Sequence, residues 1–261
     1  MTGFDDPTAL HLLPDEARSR VERFRAGTPP KGLRQRIAYA HLGGLSEMMA
    51  ARTVAIDNAI RSAATPQVVI LGAGLDGRAW RMPHLRDATV FEVDHPDSQR
   101  EKLRRTSGLT ETARTVRFVS VDFERDRLDE KLAAAGHDPT GATTWVWEGV
   151  VMYLARPDIE RTLAVIERRS VAGSRLIVVY HRPGVLRGLV GLVVRRAGEP
   201  LRSAFTPEAM GALIAAYGFS VASDEDLSTI AASLSANPRI NNKWMRRFGV
   251  LRIAVADRTT G

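Results

Sequence analysis

The chain has 261 residues, 44% of them hydrophobic and 26% charged, which suits a soluble globular protein with one wound α/β domain and an N-terminal extension. Cysteine is absent, which excludes disulfides, thiolate metal sites and cysteine nucleophiles, and no metal site is predicted. The net charge is +7, but the 33 arginines and 4 lysines are interleaved with acids, so we expect an anionic small molecule and not nucleic acid as the partner.

Residues 1–64 are predicted to form a helical N-terminal cap, followed by a main domain over residues 65–261. Acids near the start replace the basic and apolar residues of a signal peptide, and no apolar run approaches the ~20 residues of a membrane span, so we expect a cytoplasmic protein without a membrane partner. Arg52 shares a predicted helix face with apolar residues, which indicates that it meets an anion. Thr65-Pro66 ends this helix.

The stretch from Gln67 to Asp94 has the pattern of a nucleotide-binding turn. An apolar, mostly β-branched run over 68–71 predicts a buried strand, and it stops at the glycine-rich segment 72–77. A second strand ends in Asp94, which is placed to accept hydrogen bonds from both hydroxyls of a ribose. These features alone fit several nucleotide cofactors.

Further strands alternate with helices along the chain. Strands are predicted over Val116–Asp122, Thr143–Glu148 and Arg175–His181, with helices that begin near Pro96, Leu128 and Pro157. Two of these strands end in an acid. Alternation at this spacing predicts a parallel sheet.

The C-terminal part of the chain contains a different pattern. Residues 183–218 are predicted to be a lid or substrate-binding segment, in which 183–201 form a lid or a buried crossover and Thr206-Pro207 begins a helix that ends near Gly218. Strands are then predicted over Phe219–Leu227 and Val250–Asp257, separated by a polar stretch. This late pair indicates an antiparallel strand that joins a parallel sheet, as in methyltransferase-type folds.

Two cofactor classes compete for the glycine turn. Gly72, Gly74 and Gly77 satisfy the dinucleotide fingerprint, so an NAD-dependent oxidoreductase must be weighed. Asp122 and Glu148 oppose it, because an anionic pyrophosphate gains nothing from further carboxylates. S-adenosylmethionine instead carries an ammonium and a sulfonium, which suit acids at successive strand ends.

On this interpretation each predicted residue has a role in holding S-adenosylmethionine and its product S-adenosylhomocysteine. The turn Gly72-Ala73-Gly74 accommodates the amino-acid portion, and Asp94 binds the ribose. Asp122 and Phe123 are assigned to the adenine of the cofactor. Glu148 is assigned to its ammonium and Arg52 to its carboxylate.

The motifs together resemble a known family, the leucine carboxyl methyltransferases, whose bacterial members include polyketide carboxyl methyltransferases of the tetracenomycin type. The matching segments, in the order of the family, are Ala51-Arg52-Thr53 with Ile56-Asp57, Leu71 to Arg78, Phe91 to Asp94, Val121-Asp122-Phe123 and Glu148 to Leu154. The resemblance implies the same cofactor roles and a class I methyltransferase (Rossmann-like) fold, a three-layer α/β sandwich with a mostly parallel seven-stranded sheet and one antiparallel strand. Gly77 departs from the pattern, which commonly has threonine there, and little matches beyond Leu154.

The chemistry of methyl transfer favours a carboxylate acceptor. A carboxylate has a pKa of about 4 and is already ionised at neutral pH, whereas a phenol with a pKa near 10 usually needs a base. Arg182 is predicted to orient an anionic acceptor, with Tyr153 near the methyl group and His181 as a base if the acceptor is a hydroxyl. Further substrate contacts are predicted at Arg202, Arg239 and Lys243.

The functional hypothesis is carboxyl O-methylation of a small organic acid in specialised, polyketide-like metabolism and antibiotic biosynthesis. The alternatives are O-methylation of a phenolic hydroxyl, an NAD-dependent oxidoreductase, and a non-catalytic protein that binds the cofactor or nucleic acid. The oligomeric state is left open.

Overall fold

The computed structural model of the chain describes residues 6–13, 17–19, 21–22, 32–122, 125–183, 201–234 and 251–259. Its elements, numbered in chain order, are α1 (Ala9–Leu12), α2 (Leu33–Ala63), β1 (Gln67–Leu71), α3 (Arg78–Arg81), β2 (Thr89–Asp94), α4 (Pro96–Thr106), β3 (Thr115–Ser120), α5 (Leu128–Ala134), β4 (Thr143–Trp147), α6 (Arg156–Arg168), β5 (Arg175–His181), α7 (Pro207–Ala215), β6 (Phe219–Asp226), α8 (Leu227–Leu234) and β7 (Leu251–Arg258). Short 3-10 turns lie at Pro83–Leu85 and Val151–Tyr153.

Seven strands of the described chain form one sheet in the order β3-β2-β1-β4-β5-β7-β6. The strands from β3 to β5 pair in parallel, whereas β7 is antiparallel to both of its neighbours, β5 and β6. A bulge between Val221 and Ser223 interrupts the register of β6 at the edge of the sheet. The predicted mostly parallel seven-stranded sheet with one antiparallel strand is therefore confirmed.

Helices cover both faces of the sheet, because successive side chains of a strand point to opposite sides. On one face, Val69 and Leu71 of β1 belong to a core that includes side chains of α5, α6 and α7. On the other face, Val68 and Ile70 join side chains of α2, α3 and α8. The result is the predicted three-layer sandwich, with every residue of β1 buried at its centre.

The structure differs from the sequence prediction after β6. Residues after Asp226 were predicted to continue a strand and then a polar stretch, but α8 begins at Leu227, where Asp226 accepts hydrogen bonds from the backbone N–H and hydroxyl of Ser228 at 2.9 and 2.6 Å. Leu227 and Ile230 are then buried at helical spacing. After the glycine turn, α3 has only one turn because Met82 is extended and Pro83 follows it.

The predicted lid or substrate-binding segment, residues 183–218, is described in part. Residues 184–200 lie outside the described residues, while the helix expected after Thr206-Pro207 is present as α7, with Thr206 accepting from the backbone N–H of Ala209 at 3.2 Å. Within the described ranges, no helix is both long and apolar enough to cross a membrane.

His137 is a buried structural residue between α5 and β4. Its Nε2 lies 3.1 Å from the hydroxyl of Thr143, and Arg169 donates to its carbonyl at 3.2 Å. Its ring also contacts Phe91 edge-on, with 5.3 Å between centroids. Burial lowers the pKa of His137 to about 4, and the charge of Arg169 acts in the same direction.

We predict that His137 makes folding stability depend on pH between 5 and 7. In the unfolded chain the histidine pKa is near 6.5, so at pH 5 the unfolded chain binds a proton that the folded protein does not, and stability falls by about 2 kcal/mol relative to pH 7. Urea unfolding at both pH values should show this loss of stability at pH 5 in the wild type and in His84→Gln, an exposed control. His137→Gln should not show it. Equal pH dependence in wild type and His137→Gln would contradict it.

Candidate functional site

The carboxyl ends of the central strands place the glycine turn between two acids. The last residue of β1 pairs on one side with the residue before Asp94 and on the other side with the residue before Glu148. Gly72, Asp94 and Glu148 are therefore neighbours at the carboxyl edge of the sheet. This is the edge at which open α/β sheets bind their ligands.

The turn needs glycine at its first position for two reasons. Gly72 has φ of +71°, and a Cβ added to it would lie 2.2 Å from Cγ2 of Val150. The backbone N–H of Gly74 donates to one oxygen of Asp94, and the N–H of His95 donates to the other at 2.7 Å. The acid predicted to bind ribose thus also holds the turn in shape.

A cleft of about 360 Å³ opens between the glycine turn, α2, α3 and the end of β4. Its lining includes five of the eight residues predicted to contact the cofactor, namely Arg52, Gly72, Ala73, Gly74 and Glu148. The structure thus brings together residues that are up to 96 positions apart in the printed sequence.

Two of the other predicted cofactor residues, Asp94 and Asp122, lie outside this lining. Asp94 is joined to it through Gly74. Asp122 follows β3, whose end is next to β2, because the N–H of Val121 donates to the carbonyl of Asp94 at 2.9 Å. Phe123 falls outside the described residues.

Arg78 is the centre of a buried ion network in the wall of the cleft. Its side chain is only 3% exposed and contacts three carboxylates. Nε lies 2.8 Å from Asp57, and Nη1 lies 2.9 Å from Glu148 and also contacts Asp76. One guanidinium thereby connects α2, the glycine turn and the end of β4.

Two further arginines extend the network. Arg81 lies 2.6 Å from Asp57, and Arg52 lies 2.6 Å from Glu148. The predicted partners of the cofactor's carboxylate and ammonium are thus paired with each other. Arg52 is 25% exposed and so faces the cleft, whereas Arg78 holds Glu148 from the buried side.

At the centre of this network, neighbouring opposite charges shift the pKa values of Arg78 and Asp76 more than burial does. Burial alone would lower the pKa of Arg78, but Asp76, Glu148 and Asp57 raise it well above its usual value. Burial would raise the pKa of Asp76, but Arg78 and Lys102 lower it. Both groups are therefore charged at neutral pH.

Sequence reasoning missed the roles of Asp57, Asp76, Arg78 and Arg81. Asp57 and Arg78 stand in the motif segments of the family resemblance, but their contacts join residues 21 and 70 positions apart. No local pattern reports such a pairing. Only the recurrence of charged residues inside otherwise apolar segments could have drawn attention to them.

Four of the predicted acceptor residues lie near the carboxyl ends of β4 and β5, outside the lining of the cofactor cleft. Tyr153 ends the 3-10 turn after β4, and the backbone N–H of Arg202 donates to the neighbouring carbonyl of Met152 at 2.8 Å. His181 ends β5, and Arg182 and Arg202 are exposed. None of these four predicted residues lines the cleft. Arg239 and Lys243 lie outside the described residues.

A charged cluster that the sequence did not reveal lies beside these residues. The hydroxyl of Tyr180 donates to Asp224 at 2.6 Å, and Arg252 donates to the other oxygen of Asp224 at 2.8 Å. Burial and Asp224 raise the pKa of Tyr180, so its phenol stays protonated. Metal-binding groups of three or more suitable side chains are absent from the part of the chain that the structure describes.

A family model supports the assignment suggested by this geometry. The model for leucine carboxyl methyltransferase matches residues 2–167, which is more than half of the chain. The chain belongs to the leucine carboxyl methyltransferase family. The resemblance predicted from the motifs is thus confirmed.

Curated relatives match between about half and two thirds of the chain. A protein of Mycobacterium sp. (strain JLS) is 35% identical over 164 residues, which cover 62% of this chain and 54% of the relative. One of Parafrankia sp. (strain EAN1pec) is 40% identical over 147 residues, covering 53% and 47%. Both are named as S-adenosyl-L-methionine-dependent methyltransferases, in agreement with the cofactor predicted from the sequence. The chain spans about half the length of the curated relatives it matches.

Solved structures support the same fold for this family member. A DUF574 family protein from Streptomyces avermitilis superposes with a TM-score of 0.60 at 14% identity, covering 97% of both chains. A structure from Thermobifida fusca gives 0.62 at 14% identity and covers 97% of this chain and 94% of that one. The class I methyltransferase fold is confirmed by these neighbours.

We predict that replacing Arg78, the centre of the buried ion network, will destabilise the protein strongly. Arg78→Met leaves Asp76 buried without its side-chain partner, and breaking a buried ion pair costs about 3–5 kcal/mol. Urea unfolding followed by tryptophan fluorescence measures the loss. Arg100→Met is the control, because Arg100 is 72% exposed and its pair with Asp97 should contribute less than about 1 kcal/mol. Similar losses in both variants would contradict the central role of Arg78.

Proposed function

We propose that the chain is an S-adenosylmethionine-dependent O-methyltransferase that forms a methyl ester on the carboxylate of a small organic acid. The observation that carries the proposal is the arrangement at the carboxyl edge of the sheet, where Arg52 and Glu148 line the cleft and Asp94 is hydrogen-bonded to the glycine turn. This arrangement offers both carboxylates and a guanidinium to one ligand. An amino-acid nucleoside has the complementary charges.

Three parts of the cofactor have a complementary residue at this edge of the sheet. Asp94 would hold the ribose, because each of its oxygens accepts only one bond from the described backbone and carboxylate oxygens can accept more. Glu148 would hold the ammonium, and Arg78 keeps its carboxylate in place from behind. Arg52 would leave Glu148 to pair with the cofactor's carboxylate. When bound, the cofactor supplies an electrophilic methyl group on a sulfonium.

The task of the chain's own residues is then to orient the acceptor and exclude water. A carboxylate acceptor needs no base. The position of the exposed Arg182 and Arg202 near the carboxyl ends of β5 and β4 supports a role in receiving it. We propose that Arg182 and Arg202 attract and orient it by charge-assisted hydrogen bonds, with Tyr153 beside them. Acids of polyketide-like specialised metabolism are the proposed substrate class.

A competing hydroxyl acceptor has one feature in its favour. His181 lies at the carboxyl end of β5, where it could accept a proton from a phenol. The net arginine excess favours the acid instead, because a neutral phenol gains little from cationic side chains.

We predict that the protein binds S-adenosylhomocysteine and that Asp94→Asn weakens this binding at least about tenfold, since hydrogen bonds to a charged group contribute about 1.5–3 kcal/mol. Calorimetry with S-adenosylhomocysteine and NAD in parallel measures both affinities. Asp97→Asn serves as the matched control, because Asp97 is exposed and three residues away. Tight binding of NAD without response to S-adenosylhomocysteine would reject the cofactor in favour of the oxidoreductase alternative.

We predict that methyl transfer gives a base-labile ester. Incubation with methyl-labelled S-adenosylmethionine and a panel of aromatic and aliphatic acids, followed by mild alkaline hydrolysis, should release labelled methanol. Arg182→Met should raise KM for the acid more than it lowers kcat, because orientation of the anion is lost. A base-stable product would indicate an ether and therefore a hydroxyl acceptor. Binding of the cofactor without turnover of any substrate would favour the non-catalytic alternative.

A further inference from the structure

The segment of residues 6–13, here called the N-terminal strap, contributes to the cofactor cleft. Asp6 is one of the lining residues, and its Oδ2 lies 3.2 Å from Nε of Arg81. Arg81 also lies 2.6 Å from Asp57, so the strap joins the ion network around Arg78. A carboxylate from the start of the chain thus adds to the charge that a ligand in this cleft meets.

The strap packs on the glycine turn at Gly77. A Cβ at this position would lie 2.1 Å from the hydroxyl oxygen of Thr8, 3.2 Å from its Cβ and 3.3 Å from Cδ1 of Leu12. Thr8 and Leu12 are both buried, at 5% and 2% exposure. The missing side chain of Gly77 therefore leaves the space that the strap fills.

Hydrogen bonds within the strap orient the acid. Oδ1 of Asp6 accepts from the backbone N–H of Thr8 at 2.9 Å, from its hydroxyl at 2.6 Å and from the N–H of Ala9 at 3.0 Å. Its other oxygen is left for Arg81 and the cleft. At the far end of the strap, Arg105 donates to the carbonyl of Leu12 at 2.6 Å, which fixes the strap against α4.

We infer that the strap is a wall of the cofactor cleft and that the charge of Asp6 favours binding of the sulfonium cofactor over binding of its thioether product. The inference rests on the proposed cofactor. Methyl transfer turns a sulfonium into a neutral thioether, so the ligand loses one positive charge in the cleft. A carboxylate in the wall stabilises the ligand before transfer more than after it, which favours loading of cofactor and release of product.

The charge is tested with Asp6→Asn, which keeps the shape of the side chain. Its affinity for S-adenosylmethionine should fall about fivefold relative to its affinity for S-adenosylhomocysteine, the factor that an attraction of about 1 kcal/mol provides. Asp6→Glu should retain most of the wild-type ratio because it retains the charge. Asp87→Asn, which removes an exposed acid elsewhere, should leave the ratio unchanged. If Asp6 has only a structural role, Asp6→Asn should lower the affinities for both ligands by the same factor.

The packing of the strap on Gly77 is tested separately with Gly77→Ala, by hydrogen exchange on the ligand-free full chain. The added methyl group should displace Thr8, so that residues 8–13 lose protection while the strands of the sheet keep theirs. Gly211→Ala is the control, because a Cβ there meets only Cγ2 of Val221 at an ordinary 3.9 Å. Thr8→Gly in the Gly77→Ala background should relieve the clash and restore part of the protection of residues 9–13.

The outcomes separate this inference from the proposed function. Unchanged protection in Gly77→Ala, or an unchanged affinity ratio in Asp6→Asn, overturns the inference while wild-type binding of both ligands upholds the proposed cofactor. A wild type that binds neither ligand overturns the proposed cofactor and the role of Asp6 together.

Discussion

The site depends on one buried guanidinium. Arg78 contacts acids from α2, from the glycine turn and from the residue after β4, so three separate stretches of chain are fixed by one side chain. Burying a charge is costly unless partners surround it, and here three carboxylates surround the guanidinium. Glu148, the acid proposed to hold the ammonium of the cofactor, is therefore preorganised before any ligand arrives, while the more exposed Arg52 opposite it can exchange partners.

Around this charge network, the sheet supplies the geometry. Parallel pairing of β1 with β2 and β4 brings all three carboxyl ends to one edge, and the register makes the glycine turn the middle of three neighbours. Gly72 permits both the left-handed backbone and the close approach of Val150. A ligand at this edge meets backbone in the centre and acidic side chains on either side.

Local pattern was enough to predict most of the fold and to select Asp94 and Glu148, which the structure places on either side of the glycine turn. The strands were visible as apolar runs, and Asp94 and Glu148 stood out because each follows such a run directly. Contacts between distant residues were not predictable in this way: Arg78 meets Glu148 across 70 positions, and Gly77 faces Thr8. Gly77 was first interpreted as part of a dinucleotide fingerprint, but in the folded chain its missing side chain provides space for another segment. The helix α8 was missed because its first residue, Leu227, extends an apparently strand-like run.

The edge strand β6 has a consequence for the behaviour of the protein in concentrated solution. An unpaired edge can recruit a strand from another molecule and start aggregation. In β6 the bulge at Val221 and Ser223 interrupts the ladder, and the next three residues, Asp224 to Asp226, are all acidic. A second copy adding in register there would bring like charges together beside a discontinuous row of hydrogen-bonding groups. This border of the sheet therefore disfavours the growth of intermolecular β-structure.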